Sequence, residues 1–133
     1  MKVVLDTNVI VSALLIPSNS RPSEIFNLVL NGSLTIVYDN RLFSEYVDVL
    51  YREKFNINRD CLKFIIRYIE QEGEFLFAKP LTAHFIDETD KKFYEVYKSG
   101  EAQYLITGNI KHFPKETGIV TPVKFLEIWK EGN

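Results

Sequence analysis

The sequence predicts a three-layer α/β/α fold built on a mainly parallel sheet of about five strands. Short, continuous apolar runs recur along the chain, as in strands that are buried on both faces. Helix-periodic segments separate most of these runs, and strands that alternate with helices are typical of a parallel sheet. The 133 residues, of which 46% are hydrophobic, are enough for a single domain over residues 1–133 with its own core.

The predicted elements follow from apolar runs and from local start and stop signals. The strands are predicted at residues 2–6, 34–39, 75–80, 103–108 and 118–122. The helices are predicted at residues 9–15, 22–32, 40–55, 59–73, 87–98 and 122–132. Pro22 and Gly32 mark the start and end of the second helix. Asp39 or Asn40 is the expected N-cap of the third.

Composition excludes several classes of protein. The sequence contains no run of the ~18 to 20 apolar residues that a membrane span needs, and no secretory signal is recognisable. The single cysteine, Cys61, cannot form an internal disulfide, so we expect a cytoplasmic protein and interpret Cys61 as a buried helix residue. The net charge of −2 gives no global nucleic-acid signal, and a glycine-rich phosphate loop is missing.

The first candidate site residue is Asp6, which ends the apolar run "KVVLD". Ligands of parallel sheets bind at the carboxyl ends of the strands, and Asp6 lies at such an end. Aspartate is also a common helix N-cap, and that interpretation is the stronger one if Asp6 is considered alone.

Two helices offer further acids. At 100° per residue, Glu45 lies at the margin of the apolar face of the helix 40–55, although an ordinary solvated glutamate is the simpler interpretation. Asp90 lies within the apolar stripe that Phe93 and Val96 continue, where a carboxylate is costly unless it is compensated. A capping box with Asp87 as N-cap explains Asp90 equally well.

Taken together, these acids predict a metal site. Asp6, Glu45 and Asp90 lie at predicted strand ends or adjacent helices, and Thr107 and Asn109 lie at the turn after the fourth strand. Because a parallel sheet brings such ends together, the carboxylates must be neutralised. Mg²⁺ or Mn²⁺ prefers oxygen ligands and can activate water at a phosphodiester.

Five motifs show a resemblance to the PIN-domain proteins, and in particular to the toxins of toxin–antitoxin pairs. The motifs are "VVLDTNVIVSALL", "LFSEYVDVLYREKF", "DETDKKFYEV", "YLITGNIKHFP" and "IVTPVKFLE", which occur in the order and at the spacing of the family. The resemblance covers nearly the whole chain. It implies a PIN-like α/β/α fold and a Mg²⁺- or Mn²⁺-dependent ribonuclease. It also implies an antitoxin partner that covers the groove, and a homodimer, since members commonly pair.

The resemblance also implies roles for individual residues. The three family acids fall on Asp6, Glu45 and Asp90, and the polar pair after the first acid falls on Thr7 and Asn8. The chain departs from the family at two positions. Asn109 replaces a fourth acid, so it would assist through a neutral oxygen, and Gln103 replaces an aspartate of many relatives.

The sequence therefore predicts an endoribonuclease that cuts single-stranded RNA. Lysines near the predicted rim are candidate phosphate contacts, although each alone is more simply a solvated surface residue. These are Lys91, Lys92, Lys111 and Lys115, with His112 beside them. The alternative, motivated by Asn109 and Gln103, is a catalytically weak PIN module that binds RNA or an antitoxin without efficient cleavage.

Overall fold

The computed structural model describes residues 1–15, 20–82 and 84–132. The strands are β1 (Lys2–Leu5), β2 (Thr35–Tyr38), β3 (Glu74–Phe75), β4 (Tyr104–Ile106) and β5 (Ile119–Val120). The α-helices are α1 (Thr7–Leu15), α2 (Arg21–Leu30), α3 (Asn40–Leu50), α4 (Arg59–Glu72), α5 (Lys91–Ser99) and α6 (Pro122–Gly132). Short 3-10 turns cover Glu53–Phe55, Glu88–Asp90 and Ile110–His112. Within these described ranges, no helix is long and apolar enough to cross a membrane.

The sheet confirms the predicted fold class. Its five strands lie in the order β3-β2-β1-β4-β5, and every pair is parallel. The connections β1-to-β2 and β3-to-β4 run in opposite directions across the sheet, so right-handed crossovers place their helices on opposite faces. The central strand β1 is buried, with Val3, Val4 and Leu5 inaccessible to solvent. Its carboxyl end therefore lies at the middle of this edge of the sheet.

The helix predicted at 40–55 is shorter than expected. Asp39 is its N-cap and accepts a hydrogen bond from the backbone N–H of Leu42, which settles the choice between Asp39 and Asn40. The helix ends at Leu50 because Arg52 has extended backbone angles and Asn56 adopts a left-handed conformation. The chain then turns through Glu53–Phe55, which changes the direction of the side chains after Leu50.

Three further expectations need correction. The strand predicted at 75–80 pairs only over Glu74–Phe75. The N–H of Leu76 still donates to Tyr38 O of β2, but the N–H groups of Lys79 and Leu81 donate to side chains of α5 instead of the sheet. The helix predicted at 87–98 begins as a 3-10 turn and becomes α-helical at Lys91. Cys61 lies on a helix as predicted but is exposed. Since the buried residues of α4 are Leu62, Ile65 and Ile69, Cys61 points about one helical step away from the buried face.

A charged clamp joins α3, α5 and the segment after β3. The guanidinium of Arg41 contacts Asp39 Oδ2 and Glu95 Oε1, both at 2.8 Å. The other oxygen of Glu95 accepts the backbone N–H of Leu81 at 2.6 Å. Burial would raise the pKa of the Glu95 carboxyl, but the Arg41 and Leu81 bonds outweigh burial and lower it. The ionised form of Glu95 therefore stabilises the native packing.

We expect Glu95→Gln to lower the free energy of unfolding by about 1 to 2 kcal/mol at neutral pH, because it removes a charge-assisted bond to Arg41. The pKa of Glu95 is lowered on folding, so its contribution is present above the unfolded pKa and is lost as the pH falls. Urea unfolding should therefore show wild type and variant converging in acid. Glu72→Gln, on the exposed surface of α4, is the matched control. Equal stability of Glu95→Gln and wild type at neutral pH would contradict the clamp.

Candidate active site

The carboxyl ends of β1 and β4 bring Asp6 next to the turn that begins at Thr107. The backbone N–H of Asp6 donates to Ile106 O at 3.0 Å, which extends the β1–β4 pairing by one residue. The Thr107 hydroxyl donates to Asp6 Oδ2 at 2.7 Å, and both side chains are buried. The backbone N–H of Asn109 bonds to Thr107 Oγ1 at 3.0 Å, which orders the turn. The position of the Asp6 carboxylate is thus fixed by the strand register.

A buried tyrosine places the second acid. The Tyr46 hydroxyl donates to Leu5 O at 2.6 Å, and the Tyr46 side chain is inaccessible to solvent. This bond fixes α3 over the end of β1. Oε2 of the neighbouring Glu45 accepts a hydrogen bond from the Thr7 hydroxyl. Its Oε1 forms an ion pair with Lys92 Nζ at 2.8 Å. Glu45 is therefore held rather than solvated, and the ordinary surface interpretation is wrong.

The third acid lies where the 3-10 turn passes into α5. The capping alternative is right for Asp87, which is an N-cap, but the Asp90 side chain makes no capping hydrogen bond. The cap of the turn is Asp87, which accepts the backbone N–H and the hydroxyl of Thr89. The Asp90 carboxylate instead contacts His112 Nδ1 at 3.0 Å and is 15% exposed. It is thus aimed away from the backbone of its own helix.

All three acids line one cleft of about 290 Å³. Asp6, Glu45 and Asp90 share it with Thr7, Asn8 and Asn109, as the sequence predicted. The remaining lining residues are Val49, Arg52, Lys54, Phe55, Asp87, Thr89 and His112. Thr107 lies behind Asp6 and is buried. The predicted convergence of acids at one edge of the sheet is therefore present in the structure.

The environment of Asp6 disfavours its charge. Burial raises the pKa of the Asp6 carboxyl, the Thr107 and Asn8 hydrogen bonds oppose that shift, and the negative charges of Asp90 and Glu45 add to it. The carboxylates of Asp90 and Glu45 thus each repel that of Asp6, although all three also have polar partners. A cation in the cleft would relieve this repulsion.

The predicted phosphate contacts fall in different places. Lys92 is directed to Glu45 and is only 16% exposed, so it does not stand free at the rim. Lys91 is half-buried at the start of α5. Lys111 and Lys115 are exposed but line a separate cavity of about 520 Å³. His112 lines the acidic cleft itself.

The two departures from the family pattern are not equivalent. Gln103 precedes β4 at its amino end, where its Oε1 accepts the backbone N–H of Lys2 at 3.0 Å. That is the edge of the sheet opposite Asp6, so Gln103 takes no part in the cleft. Asn109 is exposed and does line the cleft. Of the two substitutions, only Asn109 bears on the chemistry of the site.

Sequence reasoning missed the cations that line the cleft. Arg52 and Lys54 belong to the segment after α3 and reach the cleft because the helix ends at Leu50. Arg52 Nη2 pairs with Asp48 Oδ2 at 3.2 Å on the exposed surface. The ammonium of Lys54 lies 5.1 Å from the ring centre of Phe55. A continuous helix over 40–55 would have directed both residues elsewhere, and the helix end carries no proline or glycine signal.

The donor set of the cleft suits a hard divalent cation. Three carboxylates and the amide oxygen of Asn109 are the ligand types that Mg²⁺ and Mn²⁺ prefer. In the part of the chain that the structure describes, no three His, Cys, Asp or Glu side chains stand close enough to hold an ion together. The reason is visible in the contacts, since Lys92 holds Glu45 and His112 holds Asp90. The donor atoms are of the types that Mg²⁺ and Mn²⁺ prefer, while in this structure the Glu45 and Asp90 carboxylates are directed to Lys92 and His112.

Comparisons with known proteins agree with the architecture. Residues 2–111 match a family model described as the PIN domain. That match includes the three acids, the threonine turn and Asn109. Neither a curated protein nor a solved structure gives a significant match to the chain.

We expect Asp6→Asn to raise the melting temperature of the metal-free protein by roughly 2 to 5 °C. The substitution removes a buried charge that Asp90 and Glu45 repel, while an amide oxygen can still accept from Thr107. Calorimetric or dichroism melts in a chelator measure the effect. Glu88→Gln, at an exposed acid next to Asp87 in the same 3-10 turn, is the control and should melt with wild type. A lower melting temperature for Asp6→Asn would show that the charge serves to cap α1 instead.

Proposed function

The chain belongs to the PIN-domain family, and on that premise we propose that it is a Mg²⁺- or Mn²⁺-dependent endoribonuclease acting on single-stranded RNA. Proteins of this family are typically nucleases and normally use divalent metals. The observation that carries the proposal is that Asp6, Glu45 and Asp90 line one cleft at the carboxyl edge of the sheet. Hydrolysis of a phosphodiester needs an activated water and a counter-charge for the phosphate, and this cleft has the donors to hold a cation that supplies both.

Asp6, Glu45 and Asp90 would hold the metal, with Asn109 assisting through its amide oxygen. The bound cation would lower the pKa of water and stabilise negative charge on the phosphate. The protein's own contribution is orientation. Thr107 fixes the Asp6 carboxylate by a hydrogen bond, and Thr7 does the same for Glu45. His112 holds the Asp90 carboxylate through Nδ1.

Arg52 and Lys54 give the RNA backbone a place to bind. Both line the cleft that holds the acids, and both are exposed. Phosphate contacts position a nucleic acid without reading its sequence, so these two side chains would set the register of the strand relative to Asp6. Phe55, half-buried in the same wall, offers a ring face next to them.

We further propose that the enzyme is a toxin, held inactive by a small antitoxin that covers the cleft. The support is the resemblance of the five motifs to PIN-domain toxins. The second candidate function is a PIN module that binds RNA or an antitoxin without efficient cleavage. Two observations favour it: Asn109 adds no charge to the site, and Glu45 and Asp90 are already engaged by Lys92 and His112.

We expect Asp6→Asn and Glu45→Gln each to lower the Mn²⁺-dependent cleavage rate of single-stranded RNA by about 10²-fold or more, the scale of catalytic-residue losses. Glu72→Gln is the control, since Glu72 is an exposed acid of α4 that does not line the cleft. Expression in bacteria gives a second readout, in which wild type arrests growth and Asp6→Asn does not. If neither Asp6→Asn nor Glu45→Gln changes the cleavage rate, and expression of wild type does not arrest growth, the binding module is the better account.

We expect Lys54→Ala to weaken binding of single-stranded RNA and to reduce the slope of log K against log salt by about 0.7, the value for one phosphate contact. Lys63→Ala, an exposed lysine on α4 away from the cleft, should leave both quantities unchanged. Binding is measured without added metal so that the RNA stays intact. Identical salt slopes for wild type and Lys54→Ala would place the RNA path elsewhere.

A further inference from the structure

An ammonium group is paired with the glutamate of the acidic cleft. Lys92 Nζ lies 2.8 Å from Glu45 Oε1, and the two side chains are only 16% and 29% exposed. The same ammonium donates to the backbone carbonyl of Thr89. It also lies 5.1 Å from the ring centre of Phe93. Lys92 is thus held in place by three groups and is not a freely moving surface lysine.

Lys92 lies at the end of α5 where a lysine is electrostatically unfavourable. Lys92 is the second residue of α5, where the helix dipole disfavours a positive charge. The α5 terminus therefore gives no electrostatic reason for a lysine here. Glu45 on the facing helix α3 supplies one.

The charges of the candidate ligands can be counted. Asp6, Glu45 and Asp90 carry three negative charges, and the ammonium of Lys92 pairs with one of them. Asp87, Arg52 and Lys54 also line the cleft, but among the described residues no ion pair joins any of them to these three acids. Asn109 stands at the turn where a fourth acid would add another. The two negative charges that remain are matched by one divalent cation. A second divalent cation would have to approach Glu45 against the ammonium that already holds it.

We infer that this site binds one divalent cation rather than two, and that Lys92 takes the place of the second cation at Glu45. The inference rests on the proposed metal-dependent function and names the residue that sets the metal stoichiometry. Lys92 is a positioning residue in this arrangement, since it acts through Glu45. Its assignment as a phosphate contact at the rim is accordingly replaced.

The test is a calorimetric titration of the full chain with Mn²⁺, in the absence of RNA. Wild type should bind one ion. Lys92→Met should bind a second ion, since the ammonium that holds Glu45 in its place is gone. Lys92→Arg keeps the charge and should behave as wild type. Lys91→Met, the adjacent lysine at the start of α5, is the matched control and should also bind one ion.

The outcomes separate the inference from the proposed function. Two ions in wild type, or a Lys92→Met titration that superimposes on wild type, would overturn the role of Lys92 while leaving a metal-dependent nuclease intact. The absence of Mn²⁺ binding in every form would overturn the proposed function itself. Thermal melts with and without Mn²⁺ confirm that each variant is folded. Lys92→Gln, which is smaller and polar, replaces Lys92→Met in the titration if the latter does not fold.

Discussion

A carboxylate buried at the end of the central strand is the constraint on which the arrangement of this protein depends. The backbone of Asp6 completes the pairing of β1 with β4, and its side chain accepts the Thr107 hydroxyl from the next strand. Burying a charge with so few partners costs free energy. A helix cap alone would not require that cost, because a capping aspartate can face water. The strand register therefore fixes the Asp6 carboxylate at a buried position, where burial disfavours its negative charge.

The helices around the cleft are arranged relative to that point. The Tyr46 hydroxyl bonds to Leu5 O, one residue before Asp6, so α3 cannot shift without breaking a buried hydrogen bond. The Arg41–Glu95 contact ties the start of α3 to α5, and Lys92 ties α5 back to Glu45. The second acid is thus positioned from two sides. Its carboxylate is held by the internal partners Thr7 and Lys92.

The sequence was informative where periodicity and strand ends decide the outcome. Asp6, Glu45 and Asp90 line one cleft as predicted, because a parallel sheet collects its carboxyl ends at one edge. Their roles as ligands stay predictions. The direction of Lys92, the end of α3 at Leu50 and the contact between Asp90 and His112 depend on tertiary packing, for which the local sequence carries no signal. The exposure of Cys61 was also missed, since one helical step separates it from the buried face.

The internal ion pairs have a consequence for how metal and RNA would act together. A second metal ion that needs Glu45 must compete with Lys92, which is attached to the protein and therefore always present at high local concentration. Anything that draws the ammonium of Lys92 away from Glu45 would make that carboxylate available to a second ion. An RNA phosphate in the cleft is a group of the right charge to do so. By thermodynamic linkage, metal and RNA would then each strengthen the binding of the other, which would tie full occupancy of the site to the presence of substrate.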